Sequence, residues 1–234
     1  MSEKCKLILG DCLGKMDEMD NNSVDLILTD PPYGIGINKM NYVTSGAIKV
    51  GGAYRNDYSN SSTEWDIKGL SKNQWNEIQR VSKNQIVFGG NFYNFPISRC
   101  WVVWDKRVSE KYSNDFADCE LIWTSFDKPA RMIRFLYSGM IQQNMAKKEV
   151  RVHPTQKPVK VVEKLIEMFS NKGDTILDPF MGSGTTGVAS LKLQRKFIGI
   201  EINPEYFEIA KKRIGEWQNQ SRLSWAEKEA KKKT

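Results

Sequence analysis

The sequence predicts an α/β fold built on an open sheet, and three observations carry that reading. Short apolar runs of the kind that form buried strands alternate with stretches of helical spacing. One run, Leu26-Ile27-Leu28, stops at Thr29-Asp30-Pro31-Pro32-Tyr33. Two consecutive prolines cannot continue a ladder, because each lacks a backbone donor and has a fixed φ. An acid, two rigid carbonyls and an aromatic ring are therefore left at a strand's carboxyl end, which is where open α/β sheets bind ligands. Another run, Thr175-Ile176-Leu177, leads into a glycine-bearing turn over 178–186 that opens a helix.

In chain order, Leu7-Ile8-Leu9 centres a strand over 6–10, and Asp11 lies at its carboxyl end. Leu13, Met16 and Met19 recur at helical spacing, Asn21-Asn22-Ser23 turns the chain, and 25–28 is the strand that feeds Asp30. Two strands joined by a helix suggest a parallel βαβ unit. Residues 34–70 are rich in Gly, Asn, Ser and Tyr without periodicity, and are expected to be a mobile loop over the site, with Trp65 as its candidate aromatic contact. Ser71 and Gln74 form a capping-box pattern ahead of a helix bearing Trp75, Ile78 and Val81. Strands follow over 85–88 and 101–104; between them Gly89-Gly90-Asn91 is a turn whose Asn91 could also line a pocket.

From 107 to 150 the apolar runs are short, at 120–123 and 132–137. They are interleaved with Lys106, Arg107, Lys111, Lys128, Arg131, Arg134, Lys147, Lys148 and Arg151. This segment reads as late strands plus an inserted surface, flanked by a core of 1–106 and 151–234. Pro158 suits the first turn of a helix whose apolar face is Val159, Val162, Leu165, Ile166 and Phe169. After the 175–177 strand and the glycine turn come a strand over 197–200, Glu201 at its end, and a helix capped by Asn203 and begun by Pro204. Phe207, Ala210, Ile214 and Trp217 are its buried stripe, and the lysine-rich tail from 227 is expected to fray.

The 234 residues, 40% hydrophobic, suffice for one domain with an insertion or two small ones. No stretch approaches the roughly 20 apolar residues of a membrane span, and the start lacks a signal-peptide apolar segment. Cys5, Cys12, Cys100 and Cys119 show no CxxC pairing and there is one histidine, so neither a metal site nor a disulfide framework is expected, and a cytoplasmic location fits. A net charge of +7 is compatible with a nucleic-acid partner but does not single one out.

Gly182-Ser183-Gly184-Thr185-Thr186-Gly187 matches G-x-G-x-x-G between a strand and a helix, and Glu201 ends the next strand. On residues alone this fits a nicotinamide dinucleotide or S-adenosylmethionine. It is not a phosphate-binding P-loop, because no Lys-Ser or Lys-Thr pair follows the glycines.

Asp178-Pro179-Phe180-Met181-Gly182-Ser183-Gly184-Thr185-Thr186 closely resembles the cofactor motif of S-adenosylmethionine-dependent DNA amino-methyltransferases. Asp30-Pro31-Pro32-Tyr33 resembles their catalytic motif, and His153-Pro154-Thr155-Gln156-Lys157-Pro158 the segment that precedes the cofactor motif in the beta group. That group places the catalytic motif first and the cofactor motif last, as here. The resemblance covers 1–105 and 151–234 and is weak between them, where the family's target-recognition region varies. It implies a doubly wound, mostly parallel, seven-stranded Rossmann-like sheet, circularly permuted, with the inserted region carrying target recognition.

Carried over residue by residue, the resemblance puts Asp178, Gly182 and Gly184 along the methionine part of S-adenosylmethionine. Phe180, Ser183, Thr185 and Thr186 belong to the same motif. Glu201 would hold the ribose hydroxyls, Asp11 would face the adenine amino group, and Thr155 and Lys157 would lie near the methionine carboxylate. Asp30 and the Pro31 carbonyl would accept the two hydrogens of an exocyclic amino group, with Pro32 keeping the backbone rigid and Tyr33 stacking on the flipped base. Direct methyl transfer demands no metal. Asp at the first motif position resembles the adenine-directed members; cytosine-directed members usually carry Ser there.

The expected activity is therefore site-specific methylation of adenine in double-stranded DNA, with N4 of cytosine as the alternative. An NAD-dependent oxidoreductase is a more distant rival and leaves Asp30 to Tyr33 and His153 to Pro158 unexplained. A methyltransferase acting on RNA or a protein amide, or a DNA-binding module that keeps only the fold, are further rivals. The group commonly dimerises, so the resemblance admits a homodimer. Neither a recognition sequence nor a restriction endonuclease partner is written in these residues.

Overall fold

The computed structural model describes residues 4–35, 49–50, 53–54, 68–107, 117–138, 141–146, 148–149, 152 and 156–232. The chain runs β1 (Cys5–Leu9), α1 (Cys12–Asp17), β2 (Val24–Thr29), β3 (Lys49–Val50), β4 (Ala53–Tyr54), α2 (Lys72–Val81), β5 (Ser82–Phe88), β6 (Val102–Asp105), β7 (Cys119–Thr124), β8 (Arg131–Arg134), β9 (Tyr137–Ser138), β10 (Ile141–Gln142), α3 (Val159–Phe169), β11 (Thr175–Asp178), α4 (Thr185–Lys192), β12 (Lys196–Glu201) and α5 (Pro204–Lys232). β3 pairs with β4 and β9 with β10 as small antiparallel ribbons; the first lies within the stretch expected as a loop.

Eight of the described strands form one sheet, in the order β1-β12-β11-β2-β5-β7-β6-β8. β7 alone runs against its neighbours β5 and β6; every other pairing is parallel. The expected count of seven is corrected by β8, which pairs with β6 from Val102↔Arg131 to Asp105↔Arg134. Only Ile133 of β8 is buried, and its charged neighbours suit an exposed edge. The expected β1-α1-β2 unit is also corrected: its strands are parallel but not adjacent, because β12 and β11 lie between them.

Alternation sends successive side chains to opposite faces. Leu26, Leu28 and Ile176 pack under Val162, Leu165, Ile166 and Ala189, from α3 and α4. Ile27 and Leu177 pack under Met16, Ile78 and Val81, from α1 and α2. Both faces are covered, as the doubly wound class requires, and the central strands read as continuous apolar runs for that reason. Leu26, Ile27 and Leu28 are each at most 1% exposed, so truncating any of them to Ala costs about 2–5 kcal/mol.

The helix starts follow local chemistry. Ser71 Oγ accepts from Gln74 N, and Gln74 Oε1 accepts from Ser71 N, completing the capping box. Asn203 Oδ1 accepts from Glu205 N and Tyr206 N ahead of Pro204. Pro158 sits one position earlier than expected, as the cap rather than the first helical residue. α5 continues to Lys232, past the point expected to fray. No helix among the described residues is long and apolar enough to cross a membrane.

Candidate active site

The two motif-bearing strands are neighbours. β11 pairs with β2 through Ile176↔Leu26 and Leu177↔Ile27, so Asp178 and Asp30 emerge side by side at the same edge. Thr29 Oγ1 ties the strand ends together by donating to Asp178 Oδ1 at 2.7 Å.

The corner after β2 is held by side chains from distant parts of the chain. Asp30 Oδ1 accepts from the Tyr33 hydroxyl at 2.6 Å, and Oδ2 from Lys157 Nζ at 2.5 Å. The Tyr93 hydroxyl donates to the Pro32 carbonyl at 2.7 Å and reaches that of Pro31 at 3.3 Å. Tyr33 stacks on Phe92, with centroids 4.6 Å apart. Gly89 makes this possible: it holds φ +66°, and a β-carbon there would lie 2.4 Å from the Tyr33 ring. Asn91 is exposed in the short 3-10 turn Gly90–Phe92, so its role is in the turn.

Charge at this corner extends to β7. Glu120 Oε2 lies 3.5 Å from Lys157 Nζ, and Glu120 Oε1 accepts from Lys106 Nζ at 3.2 Å. Burial pushes the Asp30 carboxyl up, and the Lys157 ammonium only partly offsets it. Burial opposes the charge on Lys157, but Asp30 and Glu120 together outweigh it and raise its pKa. Burial likewise opposes ionisation of Glu120, yet Lys157 and Lys106 hold it below its ordinary value. Burial and the Asp30 charge keep the Tyr33 phenol well above its ordinary range.

The corner after β11 is built mainly from backbone. Gly182 N donates to Glu201 Oε2 at 2.7 Å, and Asn203 N to Glu201 Oε1 at 2.8 Å. Phe180 N donates to Asp178 Oδ1 at 3.2 Å. Burial raises Glu201 and pushes Asp178 up to about 6. Asp11 Oδ2 accepts from Gly14 N, capping α1 at the far end of the same edge. Beneath the turn, Arg213 of α5 donates to Ser183 O, Ser183 Oγ and Thr185 Oγ1, and is paired with Glu149.

One cavity of about 300 Å³ spans both corners. Its wall includes Asp11, Asp30, Pro32, Lys157, Asp178, Phe180, Gly182, Ser183, Thr185, Thr186 and Glu201. Pro31 and Tyr33 flank the lining residues Asp30 and Pro32 in sequence without being part of the wall themselves. Gly184, expected along the cofactor, is also not part of that wall. Its φ is +78°, and a β-carbon there would meet Ala210 at 3.0 Å and Ile214 at 3.1 Å, so its bareness serves the docking of α5. Lys157 borders the cavity, but its ammonium is committed to Asp30 instead of the place expected for a methionine carboxylate.

Thr155, His153 and Trp65 lie outside the described residues. The roles of Tyr93, Glu120, Phe92 and Arg213 were not anticipated. An aromatic after a glycine turn, or a glutamate opening a strand, has no local pattern to distinguish it. The cavity fits S-adenosylmethionine: four carboxylates (Asp11, Asp30, Asp178, Glu201) face two lysines, Lys68 and Lys157, which favours a cationic guest. The Glu201 carboxylate takes backbone N–H groups from Gly182 and Asn203, and its two oxygens offer about four lone-pair sites, leaving capacity to accept hydroxyls. Among the described residues no group of three His, Cys, Asp or Glu is placed to hold a metal.

Comparison with known proteins agrees with this geometry. Residues 103–212 match the family model described as DNA methylase. The Type II methyltransferase M2.MboI of Moraxella bovis is 29% identical, over 88% of this chain and 86% of its own length. The Type II methyltransferase M.HinfI of Haemophilus influenzae is 30% identical, over 90% of this chain and 68% of its own. The cytosine-N4-specific PvuII DNA methyltransferase shares the fold, with a TM-score of 0.58 at 15% identity, covering 94% of this chain and 93% of that one. A Thermus thermophilus protein described as a DNA modification methylase, crystallised with S-adenosylmethionine, superposes with a TM-score of 0.54 at 19% identity, covering 91% and 95%. With the two motifs brought together on neighbouring strand ends, the chain belongs to the S-adenosylmethionine-dependent DNA amino-methyltransferases, the family that modifies N6 of adenine or N4 of cytosine.

Proposed function

We propose that this DNA methyltransferase modifies N6 of adenine, extruded from double-stranded DNA into the Asp30 corner. The observation that carries the reading is the single cavity joining Asp30 and Pro32 to Asp178, Gly182 and Glu201. A donor bound along the second set points into the space bounded by the first.

S-adenosylmethionine supplies a methyl group on a positively charged sulfur. Glu201 accepts the ribose hydroxyls, Asp11 faces the adenine end, and Asp178 with the Gly182 turn receives the methionine end. Thr155 belongs with that end by resemblance. An exocyclic amino group is a poor nucleophile because its lone pair is delocalised into the ring. Asp30 and the Pro31 carbonyl draw on its two hydrogens, which favours a pyramidal nitrogen with the lone pair aimed at the methyl. Transfer would form the carbon–nitrogen bond and break the carbon–sulfur bond, with the electron pair of the broken bond leaving on sulfur. The nitrogen becomes positive and sheds a proton, and Asp30, its carboxyl raised by burial, is placed to take it. Tyr93 anchors the Pro31-Pro32 carbonyls, so the acceptor geometry is set before the base arrives.

Adenine is favoured because Asp stands at the first position of the motif. The segment 107–150, with exposed Arg131 and Arg134, is read as the DNA-facing surface. The Type II names of the relatives suggest a restriction-modification setting, and a homodimer is compatible with the group. The deciding experiment is incubation with isotopically labelled S-adenosylmethionine and genomic DNA, then digestion to nucleosides and mass spectrometry. Labelled N6-methyldeoxyadenosine is expected. Labelled N4-methyldeoxycytidine would overturn the choice of base, and an unlabelled digest would overturn the activity.

A further inference from the structure

The ion pair at Asp30 poses a problem for transfer. A carboxylate with an ammonium at 2.5 Å has much of its charge neutralised, so it attracts amino hydrogens weakly and is a poor proton acceptor. Its other oxygen is already engaged by the Tyr33 hydroxyl. Lys157 has to leave Asp30 before that carboxylate can act on a base, yet a buried ammonium cannot be left without a counter-ion.

The structure contains the alternative partner. Glu120 is brought to the sheet's working edge because β7 is reversed: it is the second residue of that strand, opposite Trp104 near the carboxyl end of β6. Its Oε1 is held by Lys106. Its Oε2 is buried and, among the described residues, accepts no hydrogen bond. That oxygen lies 3.5 Å from Lys157 Nζ, an ion-pair distance short of a formed hydrogen bond. A buried carboxylate oxygen whose nearest donor is a lysine ammonium at 3.5 Å is only weakly satisfied, and it is better satisfied if that ammonium moves about 1 Å toward it.

We propose that Glu120 is a positioning residue for methyl transfer: it receives Lys157 when the target amino group displaces that lysine from Asp30. The number of charges in the cluster is the same before and after the exchange. Before it, Asp30 is neutralised and the acceptor corner is inactive. After it, Asp30 carries an available negative charge, and Lys157 sits between Glu120 and the cavity that holds the cofactor. The inference rests on the role given to Asp30 in the proposed function.

The test is Glu120→Gln, which keeps the shape and removes the charge. At saturating cofactor the single-turnover methylation rate should fall about 10- to 100-fold, with affinity for S-adenosylhomocysteine unchanged. In protein without cofactor, 13C NMR of the Asp30 carboxyl should show its titration moving to lower pH in the variant, because a neighbouring negative charge is gone. A glutamate whose charge is not felt at Asp30 would leave it unmoved. In a Lys157→Met background, Glu120→Gln should cause no further loss. A wild-type rate in Glu120→Gln, an unmoved Asp30 titration, or an equal loss in the Lys157→Met background would each overturn the proposal. Absence of methylation by the unaltered protein would instead overturn the function on which it rests.

Discussion

The two ends of the cavity are built in opposite ways. At the Glu201 end, carboxylates mainly receive backbone N–H groups from the strand-to-helix turns: Glu201 accepts from Gly182, 19 positions away, and Asp178 from Phe180, with Thr29 adding a long-range side-chain donor. At the Asp30 end, side chain meets side chain, and the key pair of Lys157 and Asp30 is separated by 127 positions. The first kind of site is stiff and present as soon as its strands are. The second is a cluster of side-chain ion pairs and hydrogen bonds, for which a ligand's own polar groups can compete. Binding a donor and activating an acceptor place these different demands on the chain.

The largest effect should come from the acceptor end. Asp30→Asn retains the shape and loses the charge, so methyl incorporation should drop by at least about 100- to 1,000-fold. Calorimetry should find S-adenosylhomocysteine bound as well as before, or more tightly with Lys157 released. Equal loss of both properties would mean the two ends are one unit and not two.

At the donor end, the carboxyl of Asp178 is raised to about 6 from 3.8 by burial. A cationic guest favours the ionised form, so affinity should weaken as pH falls through about 6, approaching tenfold per pH unit below it. Asp178→Asn should be weaker throughout and flatten that dependence. The sign for unliganded stability is opposite. The proton is held more tightly in the folded state, so this group's contribution declines as pH rises from about 4 to about 6 and is constant above.

A smaller effect should follow Gly89→Ala. The residue's φ of +66° and the Tyr33 ring 2.4 Å from the added carbon predict a loss of about 1–3 kcal/mol, read as a lowered midpoint in urea. Cofactor affinity should be untouched, since the disturbance is confined to the acceptor end.

This contrast also explains what was legible in the sequence. Asp178, Gly182 and Glu201 sit where strand, turn and strand periodicity put them, and Asp30 with Tyr33 is a contact three residues apart. Lys157 could be named from its motif, but its partner could not, because pairing across the sheet depends on which strands are neighbours. Glu120 looks like any polar residue at a strand's start. The literal G-x-G-x-x-G was misleading in part. Gly184 and Gly187 press against α5, where a β-carbon on Gly187 would meet Ile214 at 2.6 Å, and only Gly182 reaches the cavity.

The placing of β11 and β12 between β1 and β2 has a consequence for how the molecule comes into being. Synthesis delivers β1 and β2 first, but they cannot form their final pairings with each other. The strands that join β1 to the rest of the sheet are made near the end, and Thr29 must wait for Asp178, 149 positions later. Such a chain pays a large loop-closure cost before its core is rewarded, so it folds slowly and as a whole. A release of the nascent chain before β11 would leave β1 without its neighbour β12 and would remove Asp178 and Glu201, so the five strands from β2 to β8 would carry the acceptor corner without a donor site.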